Sequence, residues 1–417
     1  MPEKQSCFAA NSVFAIFLTF LLVSVIAIQP AQARKFKVLH TFRGKDGGGP
    51  EGVLVKDAAG NLYGTTGGGG KGKCGKLGCG TAFKLDKTGK QVWLHSFDGG
   101  NGHGPQAGLL RDAAGNLFGT TVYGGDTRCN PPYGCGTVFK LDRTGTNEVV
   151  LHKFTGTPDG FFPQAVLIKD VAGNLYGTTP LGGTGGLGAV FKIDKGGKET
   201  VLYNFSGGSD GCFPYPGVIL DSAGSLYGVA SEGGDGFCNS GMGVLFKLDK
   251  RGNETVLHTF QGGSDGANPD SVLLFDSQGN LYGTTENGGS SGCGGTGCGT
   301  VFELSHDGAE TVLYAFCSLS NCADGEVPGA GPLVRDSTGN LYGTTFFGGT
   351  SDHGVVFKLG TSGKETVLHN FTGRADGANP VAGLVLDDSG ALYGSAEQGG
   401  ATCFTSYTCG VVFEITR

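Results

Sequence analysis

Apolar and polar residues alternate along this chain in short runs, bounded by Gly, Asp, Ser and Pro. Four runs make one unit. In the fifth unit they cover residues 271–275, 280–285, 300–304 and 310–316, rich in Val, Leu, Phe, Tyr and Thr. No helical period accompanies them. The second run carries a phrase that recurs seven times: Asn61-Leu62-Tyr63-Gly64, Asn116-Leu117-Phe118-Gly119, Asn174-Leu175-Tyr176-Gly177, Ser225-Leu226-Tyr227-Gly228, Asn280-Leu281-Tyr282-Gly283, Asn340-Leu341-Tyr342-Gly343 and Ala391-Leu392-Tyr393-Gly394. The spacing of 51 to 60 residues predicts a radial array of small sheets. Four strands per unit, here A to D in chain order, predict an all-β fold: a seven-bladed β-propeller of four-stranded antiparallel blades.

The ends of the pattern agree. A D-type run precedes the first unit at residues 36–42, and the last unit stops after its C run at 411–415. The N-terminal strand 36–42 is therefore expected to complete the last blade and close the ring, which removes two open sheet edges. A linear β-solenoid has no reason to place the missing strand at the opposite terminus.

Before the repeats lies a different segment. Lys4 precedes an apolar stretch over residues 13–28, and Ala31-Gln32-Ala33 forms a small-x-small cleavage site before Arg34. Residues 1–33 read as a cleaved signal peptide, and 34–417 as the propeller domain. No second apolar segment follows, so no membrane span is expected after cleavage. Cys7 precedes the apolar run, on the wrong side for lipid attachment.

Composition supports export and tight turns. There are 82 glycines, without a collagen triplet, and a net charge of −7 with no basic stripe, so nucleic acid is not an expected partner. The twelve cysteines after residue 33 pair as Cys74/Cys79, Cys129/Cys135, Cys293/Cys298, Cys317/Cys322 and Cys403/Cys409, leaving Cys212 and Cys238 for each other. Zinc is the competing reading. The absence of a partner pair with ribbon-like spacing, and the placement of the pairs on different blades, argue against it.

A meander puts A–B and C–D turns on one face, and B–C and D–A connections on the other. The first face carries short uniform turns such as Asp57-Ala58-Ala59-Gly60, in which aspartate bonds the turn backbone and glycine takes positive φ. The second face carries longer, variable loops and all twelve of these cysteines.

Candidate chemistry is sparse. The D–A connections present Asp46, Asp159, Asp210, Asp265, Asp324 and Asp376, with Asn101 in the second unit; these read as turns entering strand A. Asp159, Asp210 and Asp265 are weak metal candidates, and no metal site or cofactor is assigned. Strand D carries His40, His95, His152, His258 and His369, replaced by Tyr203 and Tyr314, and these read as packing between blades. Recognition is expected from aromatics of the variable loops: Phe161, Phe162, Phe213, Tyr215, Tyr123, Phe346 and Phe347, with Tyr133, Phe237, Phe404 and Tyr407 beside them. The single tryptophan, Trp93, lies on a strand. Phosphate-loop patterns arise here by chance, because glycine is common and no helix follows.

The units Gly-Asn-Leu-Tyr-Gly-Thr-Thr, Gly-Thr-Val-Phe-Lys-Leu-Asp and Glu-Thr-Val-Leu-His-x-Phe, seen closely in residues 115–121, 136–142 and 363–371, resemble the bacterial GloVer tandem repeat, the Gloeo/Verruco repeat of choice-of-anchor proteins. The resemblance implies an exported or surface-associated bacterial protein and carries no activity. A more distant likeness is to NHL-type propellers, some of which are lyases or lactonases. The expectation is an extracellular binding or scaffold module, monomeric, engaging a glycan, peptide or protein through its disulfide-stapled face. Two alternatives stand beside it: a lyase or hydrolase with a central-channel site, and a self-associating surface structural protein.

Overall fold

Among the described residues, seven antiparallel sheets of four or five strands are present, each built on one sequence unit, with a further two-stranded ribbon in the last B–C loop. The structure is a computed structural model and describes residues 34–416 apart from 73, 240 and 405–406. The signal peptide expected at 1–33, with Cys7, lies outside the described residues. Blade 1 is Val55–Lys56, Leu62–Thr66, Thr81–Leu85 and Gln91–Ser96, paired in chain order. The fold is the expected seven-bladed propeller, with almost no helix.

The last blade closes as the strand count requires. Lys35–Thr41 pairs with Val411–Thr416, from Lys35 opposite Thr416 to Thr41 opposite Val411. Its neighbours are Leu392–Ala396 and then Val385–Leu386, so the N-terminal segment is the D strand of blade 7.

Strand A is shorter than the sequence pattern implies. In blade 5 the run 271–275 contributes only Leu274–Phe275 to the ladder, and Ala267–Pro269 adds a separate rung against Leu281–Asn287. The first half of each A segment lies where the blades converge. Gly52 shows why: a Cβ there would lie 2.6 Å from the Ala107 carbonyl oxygen of the next blade.

The repeated phrase has a local cause. The Asp57 carboxylate accepts from Ala59 N at 3.0 Å, Asn61 N at 2.9 Å, Asn61 Nδ2 at 2.8 Å and the Tyr63 hydroxyl at 2.9 Å. One aspartate thus closes the A–B turn and anchors the tyrosine of strand B. The glycine that follows makes room for strand C, since a Cβ on Gly64 would lie 2.6 Å from Phe83 Cζ.

The core lies between blades. Phe97, at the end of strand D in blade 1, meets Phe139 of blade 2 edge-on with centroids 5.0 Å apart. Phe42–Phe83, Phe154–Phe191, Phe205–Phe246, Phe260–Phe302, Phe316–Phe357 and Phe371–Phe413 repeat the contact around the ring. Burying each ring contributes about 2 kcal/mol, and the edge-to-face geometry about 1 more.

Candidate ligand site at the channel mouth

The D–A connections do more than turn. The Asp159 carboxylate accepts from Thr155 N at 2.9 Å and lies 3.0 Å from His152 Nε2. Asp46, Asp265 and Asp376 face His40, His258 and His369 in the same way, each at 3.2 Å, while Asp210 and Asp324 accept from the hydroxyls of Tyr203 and Tyr314. Between blades 1 and 2, where Asn101 replaces the aspartate, His95 of blade 1 bonds Glu148 of blade 2 instead, at 2.9 Å. The strand-D histidines also stand edge-on to the buried Phe two residues on, as His152 does to Phe154 at 4.7 Å. The histidine repeat and the aspartate repeat are therefore one feature, legible in most blades as a spacing of six or seven residues. A glutamate from the start of the next D strand joins them. His258, Asp265 and Glu310 place ligand atoms within 4.8 Å of one another.

The six expected disulfides are all present, Cys212–Cys238 included. Two features of their placement go beyond that expectation. First, the cysteines lie in the B–C and D–A connections as expected, but several are buried there. Cys79, Cys135, Cys298 and Cys409, the second members of four short pairs, are buried, and so is Cys212. The reason is position. Each of the four stands two residues before strand C, which starts at Thr81, Thr137, Thr300 and Val411 and is buried at four of its first five positions. Cys79 packs with Phe97 and Phe139, Cys135 with Phe154 and Phe191, and Cys409 with Phe42 and Phe83. These three sulfurs are therefore core atoms that tether the loop from beneath, and they offer a ligand no surface.

Second, the close pairs do not all stay apart. Cys293, Cys298, Cys317 and Cys322 bring their sulfurs within 4.8 Å of one another. The B–C loop of blade 5 meets the D–A connection that follows it, and the two disulfides staple one patch of the variable face.

The aromatic candidates divide. Tyr123 meets Phe162 at 5.1 Å, Phe162 meets Phe161 at 4.4 Å, and His103 lies 5.3 Å from Tyr123, forming a row across blades 2 and 3. Phe346 and Phe347 pair with each other at 4.5 Å, and Tyr133 and Phe237 are exposed. Phe213 lies 6.3 Å from Tyr215, which alone of the candidates reaches the axis. The side chains of Phe404 and Tyr407 lie outside what is described.

A well of about 160 Å³ opens on the ring axis and is lined from all seven blades. Its polar residues are Glu51, Gln106, Gln164, Tyr215 and Asp270, each directly after the proline that opens strand A in its blade. Of these, sequence reasoning reached Tyr215 alone. The signal was available: with the units aligned on Pro50, Pro105, Pro163, Pro214, Pro269, Pro328 and Pro380, the next position varies freely. A cleft of about 370 Å³ leads off the well over blades 7, 1 and 2, lined by Glu51, His103, Gln106, Tyr123, Glu397 and Gln398 among others.

The backbone before the well is strained. The residue preceding each strand-A proline is left-handed, even where it is Phe162 (φ 64), Phe213 (φ 58) or Val327 (φ 54). Bulky and β-branched residues avoid this region, and such outliers gather where a site must be held in place.

Electrostatically the well is acidic and short of cations. Burial, with the nearby Glu397 carboxylate, pushes the Glu51 carboxyl up to about 8, against a smaller opposing hydrogen bond from Gln106. Burial and the Glu286 carboxylate push Asp270 up to about 7. Asp270 Oδ1 is buried and makes no hydrogen bond to the protein. Burial likewise raises Glu397 and the Tyr215 hydroxyl, the latter also facing Asp270 and Glu232, and lowers His103. Among the described residues, no lysine or arginine lines the well or the cleft.

A family model described as the Gloeobacter/Verrucomicrobia repeat matches residues 75–296 and 293–417. No curated protein matches the chain in sequence. Among solved structures, a catalytically inactive virginiamycin B lyase from Staphylococcus aureus, with quinupristin, is 13% identical over 92% of this chain and 99% of its own, at a TM-score of 0.56. The selenomethionine form of that lyase is 12% identical over 92% and 100%, at 0.55. A Bacteroides fragilis protein provisionally assigned as a 6-phosphogluconolactonase is 16% identical over 86% and 98%, at 0.50. At these identities the likeness is one of fold.

Proposed function

This chain belongs to the Gloeobacter/Verrucomicrobia repeat family, and from that premise we propose that it is an exported binding propeller that seats an extracellular ligand at the channel mouth of its cysteine-bearing face. The observation that carries the reading is the convergence of Glu51, Gln106, Gln164, Tyr215 and Asp270, from five different blades, on one well. Side chains so placed share no role in closing any single blade, and concave sites with a few converging polar groups are where ligands bind. Six disulfides and the lack, among the described residues, of any helix able to cross a membrane accord with an extracellular place of work.

The test is a binding screen of extracellular oligosaccharides and peptides against the native protein and a Gln106→Ala/Gln164→Ala variant. A ligand whose affinity falls in the double variant, and not in Lys87→Ala on the opposite face, supports the seat. A ligand indifferent to the double variant places binding elsewhere.

One observation favours a second reading as an extracellular lyase or hydrolase. Glu51 and Asp270 hold their protons near neutral pH, as general acids and bases do. Chemical conversion of a bound ligand, lost in Glu51→Gln or Asp270→Asn, would move the assignment from binding to catalysis.

A further inference from the structure

The well presents carboxyl groups in two sets. Glu51, from the A segment of blade 1, faces Glu397 of the blade 7 B–C loop and Gln106 of blade 2. Asp270, from blade 5, faces Glu286 of its own B–C loop and Tyr215 of blade 4, behind which stands Glu232. Among the described residues, the imidazole lining the adjoining cleft is that of His103, whose protonation burial disfavours. Among the described residues of this surface, nothing supplies a fixed positive charge.

Elsewhere many carboxylates are paired, although Glu254, Glu310 and Glu365 at blade junctions each keep a buried oxygen without a partner. Asp387 takes Lys56 at 2.5 Å, Asp126 takes Arg128 at 2.7 Å, and the turn aspartates take several backbone N–H groups each. At the axis the compensation is missing, and Asp270 Oδ1 is left buried without a partner. Apo protein meets this cost by keeping protons on Glu51 and Asp270. A ligand carrying its own positive charge meets it better, because each carboxylate can then ionise against a partner. The rest of the lining fits one kind of carrier. Gln106 and Gln164 offer amide donors and acceptors, and Tyr123 offers a ring face beside the entrance, a combination that matches sugar hydroxyls and a pyranose face.

We infer that the axial well takes an amino sugar, with a protonated amine of an oligosaccharide set between Glu51 and Asp270. The inference rests on the proposed seat at the channel mouth and names its ligand class. Binding then exchanges protons for the ammonium group, so the complex releases protons to solvent and weakens as the pH falls toward 5.

Calorimetry decides it. The full chain is titrated at pH 6.5 with glucosamine hexamer, its N-acetylated counterpart and trilysine, in two buffers of different ionisation enthalpy. The expected result is binding of the glucosamine hexamer with proton release, and about tenfold or weaker binding of the acetylated hexamer. Glu51→Gln and Asp270→Asn should each lose about tenfold toward glucosamine hexamer, while Glu254→Gln, a half-buried carboxyl at a blade junction, should match the native protein. Thermal melts of the three variants separate lost binding from lost folding. Equal binding of both hexamers, weakened by Gln106→Ala/Gln164→Ala, overturns the cationic ligand and leaves the seat intact. Trilysine bound in place of the sugar overturns the amino-sugar assignment. Glucosamine hexamer bound equally by native protein and all axial variants overturns the seat itself, whereas binding of no probe at all overturns the amino-sugar assignment and leaves the seat to the broader screen.

Discussion

Phe36 stacks flat on His369, with ring centroids 3.7 Å apart and planes 6° from parallel. Phe36 occupies the position that Glu310 holds in blade 5, and it belongs to the strand that closes the ring. It also touches Phe371 and Phe413. Removing it should open the seam between blades 6 and 7. Phe36→Ala is expected to cost about 2–3 kcal/mol, read as a lower midpoint in denaturant unfolding.

Glu254, Glu310 and Glu365 make the opposite contribution at three other junctions. Burial, together with Asp210, Asp265 and Asp324 respectively, pushes each carboxyl up to about 7. Each has a buried oxygen without a hydrogen-bond partner. A carboxyl raised on folding binds more protons in the native state than in the unfolded one, so stability falls as pH rises from about 4.5 to about 7. Glutamine at these positions is expected to raise Tm by roughly 1–3 °C per site at pH 8 and to leave it unchanged at pH 4. Thermal scans at the two pH values check the sign.

Val327 is a β-branched residue at φ 54. Its counterparts Asn268 and Asn379 tolerate the same conformation, and their side-chain amides donate at 3.0 Å to the Ser231 and Phe346 carbonyl oxygens of the preceding blade. Val327→Asn should relieve strain and gain the equivalent bond, for a stabilisation of about 1 kcal/mol. An unchanged or lower unfolding midpoint would mean that the surrounding loop, and not this residue, sets the left-handed turn.

The Cys212–Cys238 disulfide closes 26 residues, whereas the other five close 5 or 6. Chain entropy assigns it about 3–4 kcal/mol, against about 2 for each short staple. Cys212→Ala/Cys238→Ala is therefore expected to lower the unfolding midpoint more than Cys74→Ala/Cys79→Ala. The short-loop variant should instead show its effect as faster proteolysis of the B–C loop of blade 1.

The blade was legible because its determinants are close in sequence. Asp57, Asn61 and Tyr63 bond one another within seven residues, so the turn that makes the repeat is written in the repeat. Ring closure was legible for a different reason: a D-type strand present at one end and absent at the other leaves one pairing that uses every edge. The cysteine pairs were legible by spacing, but the burial of Cys79, Cys135 and Cys409 was not, because the core that covers them is shared with a neighbouring blade. The pairing of His152 with Asp159 was hidden in plain view, because each residue had a sufficient explanation alone.

The candidate site was not legible in this way. Glu51 and Glu397 come from opposite ends of the chain and meet only when blade 7 closes on blade 1. Local sequence determined what each unit is: its strands, its turns, its buried phenylalanine and its cysteine staples. Those properties follow from contacts within one unit or with the next. The tertiary structure alone decided which side chain of each unit faces the axis. Seven segments of unlike sequence become one lining there, and the charge of the well is a sum over residues that no single unit contains.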